Sequence, residues 1–168
     1  TPSFVSRAGI KVRGQSSASF AKAGYRLDLL GNDNNEAEFP FLGMPSDGDW
    51  VFRGPYLDKS LIHDALTYSL GSAMGRLKAP RFRLCEVYLN TDGGALEWYD
   101  YRGLYLVSET VEVSENRLDI SEMNQTDLTS PEIEGGYVFK FDNGVAQEPL
   151  LICHGDESTC WKDLEVVE

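Results

Sequence analysis

A polar loop between two alternating segments fixes the start of this chain. Over Ala8–Val12, Ile10 and Val12 share one side; over Tyr25–Leu30, Leu27 and Leu29 alternate with Arg26 and Asp28. A period of two is that of a half-buried strand. The two segments therefore predict an antiparallel hairpin. Its tip reads Arg13-Gly14-Gln15-Ser16-Ser17, then Lys22-Ala23-Gly24. Backbone N–H groups, hydroxyls and two cations at one turn suit an anion, and a phosphate first of all. A solvated hairpin tip is the plainer reading, because short loops of this kind are unspecific.

Downstream, residues 31–48 read as a long loop, with Gly43, Pro45 and Gly48 near its end. Its Asn/Asp cluster lacks the glycine and closing glutamate of a calcium loop, so a solvated turn is expected. Leu57–Met74 predicts the main helix: Leu61, Ile62, Ala65, Leu66, Tyr68, Leu70, Ala73 and Met74 recur at helical spacing and read as core. Asp58 or Ser60 can cap its start and Gly75 its end. Phe82–Asn90 and Tyr101–Val113 predict an antiparallel pair, Asn116–Met123 a turn or short helix, and Gly135–Phe141 a further strand. The expectation is one α+β domain over 1–168: a twisted antiparallel sheet with one packed helix.

Charge narrows the partners. The chain has 168 residues and a net charge of −12, which disfavours nucleic acid and anionic membrane surfaces. A nucleotide remains compatible, since local cations can reverse the sign inside a cleft. Basic protein partners fit the overall charge. No apolar run approaches the roughly 20 residues of a membrane span, and the opening residues show no basic segment followed by an apolar one, so any signal peptide is expected to have been removed or to lie outside this sequence. Cys153 and Cys160 flank a polar loop and could pair in an oxidising compartment, whereas Cys153, His154 and Cys160 make a poor zinc set. Cys85 sits in an apolar strand pattern as a core thiol.

Five blocks then occur in order: the hairpin with its loop; Phe41-Leu42-Gly43-Met44-Pro45 with Asp49-Trp50-Val51-Phe52; Tyr56-Leu57-Asp58-Lys59-Ser60-Leu61-Ile62; Gly103-Leu104-Tyr105-Leu106-Val107-Ser108-Glu109; and Gly135-Gly136-Tyr137-Val138-Phe139-Lys140-Phe141-Asp142. This series, over about residues 8–142, resembles the CotH family, the spore-coat-protein-H-like atypical protein kinases. The resemblance implies a kinase-like N-terminal lobe that binds ATP with Mg²⁺ or Mn²⁺ and serves γ-phosphate transfer to Ser/Thr of secreted, coat or surface proteins. It places Arg13, Ser16 and Ser17 over the phosphates, with Lys22 as a point charge on them. Glu109 would lead into the hinge beside the base or pair with the phosphate-binding lysine. His63 and Asp64 stand where the family usually has arginine and asparagine. The family's metal-binding and catalytic aspartates lie in a later aspartate-rich block with no counterpart here. No catalytic residue is therefore assigned, metal ligands are expected outside this chain, and the chain alone is expected to be inactive. The alternative is a non-catalytic secreted module of a coat or cell-surface assembly. A carbohydrate-active domain stacking sugars on Trp50, Trp98 and Trp161 is the weakest reading, for want of paired carboxylates.

Overall fold

The computed structural model describes residues 4–75, 78–121, 126 and 128–130, and the strand backbones at 138–141 and 164–167. Contacts divide the chain into two compact units, Thr1–Glu112 and Val113–Glu168.

The first unit is built on five strands: β1 (Arg7–Arg13), β2 (Gly24–Leu30), β5 (Asp49–Arg53), β7 (Tyr101–Glu109) and β6 (Phe82–Tyr88), in that spatial order. Every neighbouring pair is antiparallel. The hairpin predicted around the Arg13 loop is present, with Ile10 opposite Leu27 and Arg13 opposite Gly24. The expected loop at 31–48 contains a second, smaller hairpin, β3 (Phe39–Phe41) and β4 (Met44–Asp47). The phenylalanine–proline alternation of β3 is too short to stand out as a strand in the sequence. It forms because Phe39 and Phe41 have a core to cover.

Register sorts the side chains into two faces. Leu27 lies opposite Trp50, and Phe52 opposite Val107. These residues, with Leu29, Met44, Phe39, Phe41 and Cys85, form the hydrophobic core. Trp50 is 0% exposed, and its ring meets Phe41 at 5.4 Å. Sealed in this way, Trp50 is unavailable as a sugar platform. Cys85 packs as the core thiol expected, and burial pushes its pKa up.

The opposite face carries Arg26, Val51, Ser108 and Phe82 in one row across the sheet. Helix α1 (His63–Ala73) lies on this side: Tyr68 reaches the Phe82 ring at 6.1 Å, and Arg53 sits 5.6 Å from the Tyr68 ring centroid. The helix is shorter than predicted. Asp58 accepts from the Ser60 amide at 3.0 Å and from the His63 amide at 2.8 Å, and Leu61 has a φ of 63°. Residues 57–62 are thus a capping turn, with Asp58 in the role foreseen for it. The expected core stripe is also corrected: no helix residue is buried. Ala65, Tyr68 and Gly71 are half-buried, whereas Ile62, Leu66, Leu70 and Met74 are exposed. Gly71 permits the approach, since a Cβ there would stand 3.1 Å from that of Ala79.

In the second unit, the Ser114 amide donates to Leu118 at 3.2 Å, closing a turn, and β8 (Val138–Phe141) pairs antiparallel with β9 (Leu164–Val167). Cys153, His154, Cys160 and Trp161 lie outside the described residues.

Candidate functional site

Two strand ends and one helix start enclose a cleft on the α1 side of the sheet. β1 delivers Arg13 and Gly14, and the turn beyond it contributes Ser17. β5 delivers Val51, Phe52, Arg53 and Gly54, β2 brings Gly24, and α1 supplies Asp64. The cavity measures about 180 Å³. Its shape depends on glycine. Gly14 has a φ of +116°, and a Cβ there would collide with Ser17 Oγ. A Cβ at Gly54 would come within 2.8 Å of the Lys22 carbonyl oxygen. Both positions therefore exclude larger residues for steric reasons.

The charges around the cleft are arranged asymmetrically. Arg26 is fully engaged: its Nε donates to Asp28 at 2.7 Å and its Nη2 reaches Asp49 at 2.8 Å. Arg13 and Arg53, by contrast, make no ion pair or side-chain hydrogen bond with any described residue. The Arg53 Nε is buried without a hydrogen-bond partner. Partial burial, then the neighbouring Arg53 charge, pull the Arg13 pKa below its ordinary value. Two guanidiniums, which stay protonated in proteins, are thus held near each other with no direct ion pair to a described residue, although Asp64 shares the cavity wall and the Asp49 charge reaches Arg13. An anion between them would satisfy donors and relieve the repulsion at once.

Other expected site residues point elsewhere. The Ser16 carbonyl accepts from Ser19 Oγ at 2.8 Å, and Ser16 does not line the cleft. Lys22 Nζ lies 4.9 Å from the Tyr105 ring centroid. Tyr105 is opposite Cys85 and therefore on the core face. Desolvation lowers the Lys22 pKa. Glu109, also on the core face opposite Trp50, accepts from the Arg81 amide at 2.8 Å and from its Nε at 2.7 Å. It pairs with an arginine at a strand end, and neither lysine nor hinge is involved in that contact.

Three carboxylates, Asp47, Asp49 and Glu112, bring ligand atoms within 4.8 Å of one another. Asp49 already carries Arg26 at 2.8 Å and the Thr110 hydroxyl at 2.9 Å. It also sits four residues along β5 from Arg53, roughly 13 Å at the usual strand rise. With Arg26 and the Thr110 hydroxyl already on Asp49, and the same hydroxyl 3.2 Å from Glu112, this donor set is compensated within the fold and is a poor fit to a divalent ion.

Comparison with known families matches the description "CotH kinase protein" over residues 10–161. The chain belongs to the CotH kinase family. No curated protein and no solved structure is a match. The CotH match covers both the cleft and the hairpin that builds it. Arg53 escaped the sequence reading, although a signal exists: Arg-Gly occurs at 13–14, 53–54 and 102–103. Only strand register reveals that the first two converge.

Proposed function

We propose that this chain is the nucleotide-binding part of a CotH-type protein kinase and holds ATP by its phosphates at the Arg13–Ser17 turn. The observation that carries the reading is the pair of guanidiniums without a direct ion pair in a glycine-walled cleft, in a chain whose net charge is −12. Phosphoryl transfer asks mainly for such positioning and charge. Arg13 supplies a fork for phosphate oxygens, and Ser17 a hydroxyl and an amide. Ser16 extends the turn. Lys22 joins the phosphates only by leaving the Tyr105 ring, and Glu109 acts by fixing Arg81 at the sheet end. The acceptor is Ser/Thr of a secreted, coat or surface protein, basic in character, and the setting is extracytoplasmic. Mg²⁺ or Mn²⁺ is held by ligands outside this chain.

Calorimetry with ATP and Mg²⁺ tests the reading. Arg13→Ala is expected to weaken binding tenfold or more, about 1.4 kcal/mol; absence of binding to the parent chain would sink it in favour of a scaffold role. Binding without transfer is the further expectation for these residues alone. Radiolabel incorporated into the chain or an added substrate would contradict that part alone.

A further inference from the structure

We infer that Arg53 is the second prong of a phosphate clamp, and that the cleft grips a phosphate chain while leaving the nucleoside outside it. The inference rests on the phosphate reading above and specifies which part of the ligand this site recognises.

Size is the first argument. Pockets that engulf a drug-sized ligand run to about 300–1,000 Å³, whereas this cavity is about 180 Å³. It has room for phosphate groups and too little for a whole nucleotide. Lining chemistry is the second. Gly14, Gly24 and Gly54 expose backbone, Ser17 offers a hydroxyl, and Arg13 and Arg53 offer guanidiniums. Phe52 is the one aromatic residue of the lining, and its side chain packs against the core on the other face, so an aromatic face on which a base commonly stacks is not offered there.

Arg53 itself supplies the third argument. It ends β5 on the side where Arg26 and Val51 lie, its Nε is buried without a partner, and the Tyr68 ring braces its guanidinium from α1 at 5.6 Å. A braced arginine has already lost much of its rotamer freedom, so less is surrendered on binding. Asp64, on the cavity wall, is the one carboxylate there. Its single charge is outnumbered by the two guanidiniums on the same wall, which leaves the cavity lining net positive.

The experiment is calorimetric titration of the full chain at physiological salt with inorganic tripolyphosphate, ATP, GTP and adenosine. Arg53→Gln and Arg13→Gln variants run alongside, with melting curves as the folding check. Tripolyphosphate, ATP and GTP are expected to bind within about threefold of one another, adenosine not at all, and either variant to lose tenfold or more for all three. Because the chain carries a net charge of −12, a polyanion has no general attraction to it. ATP binding without tripolyphosphate binding would overturn the clamp while leaving the nucleotide reading intact. So would tenfold preference for ATP over GTP, or unchanged affinity in a folded Arg53→Gln. If Arg53→Gln does not fold, Arg53→Lys, which keeps the charge and loses the fork, is held to the same test: unchanged affinity in the folded variant would overturn the clamp. Failure of both ATP and tripolyphosphate to bind would overturn both readings together.

Discussion

Glu109 is 5% exposed, yet its carboxylate collects the Arg81 amide, Nε and Nη2 within 2.6–2.8 Å. A buried carboxylate so placed is costly to lose, because its donors are orphaned. Arg81 retains partial access to water, with its side chain 43% exposed, which limits the penalty. Glu109→Gln is expected to destabilise the fold by about 1–3 kcal/mol, read from urea unfolding, with no change in tripolyphosphate affinity. Coupled loss of affinity in a folded variant would place Glu109 in the binding machinery instead. Tyr105 offers a second residue-scale test. Desolvation raises its pKa from 10.0 to about 12, and its hydroxyl donates to the Ala23 carbonyl at 3.0 Å. A folded pKa above the unfolded one means that stability is complete below pH 10 and drains as pH climbs toward 12. Ultraviolet titration should show a late tyrosinate near pH 12 that Tyr105→Phe removes; its ionisation near pH 10 in the folded chain would contradict the assignment.

At the scale of elements, the capping turn before α1 titrates. Asp58 has its pKa lowered from 3.8 to about 2, chiefly by the Ser60 side-chain hydrogen bond and further by the His63 amide. A depressed carboxylate stabilises above its unfolded pKa, so the helix start should loosen as pH falls from 3.8 toward 2. Amide exchange at His63 and neighbouring residues should accelerate over that window, and Asp58→Asn should flatten the response. The existence of this helix was legible in the sequence because periodicity is a strong signal. Its true start and buried face were not: Leu61 at positive φ leaves no compositional trace, and Ala65, Tyr68 and Gly71 look weaker than the leucines they displace from the contact. The same contrast holds at the site. The Arg13 turn stood out as local chemistry, whereas Arg53 is forty residues away and enters only through pairing of β2 with β5. Lys22 and Glu109 belong to matching blocks, but side-chain direction at a strand end depends on register that no block encodes.

For the whole first unit, one face of the sheet supplies cohesion and the other supplies charge. Trp50 lies at the centre of the core, touching Phe41 and grouped with Leu29, Met44 and Val107. Trp50→Ala should cost about 3–5 kcal/mol, the usual range for deleting a large buried aromatic, and a fall in the chemical denaturation midpoint measures it. A near-neutral result would mean that the hairpin β3–β4 does not seal the core. The polar face, meanwhile, runs from two arginines without a direct ion pair at the Arg13 end to a carboxylate group at Asp47, Asp49 and Glu112. Arg26 ties the middle to the acidic end through Asp28 and Asp49.

The alternation along β2 has a consequence for how such a chain can diversify. Leu27 and Leu29 answer to the core, while Arg26 and Asp28 answer to charge on the opposite side. In a library covering every position of this strand, loss of the fold and change of surface charge would alternate, residue by residue. Descendants of this sequence could therefore recast the charge on one side of the sheet by drifting at every second position while the hydrophobic packing stayed as it is.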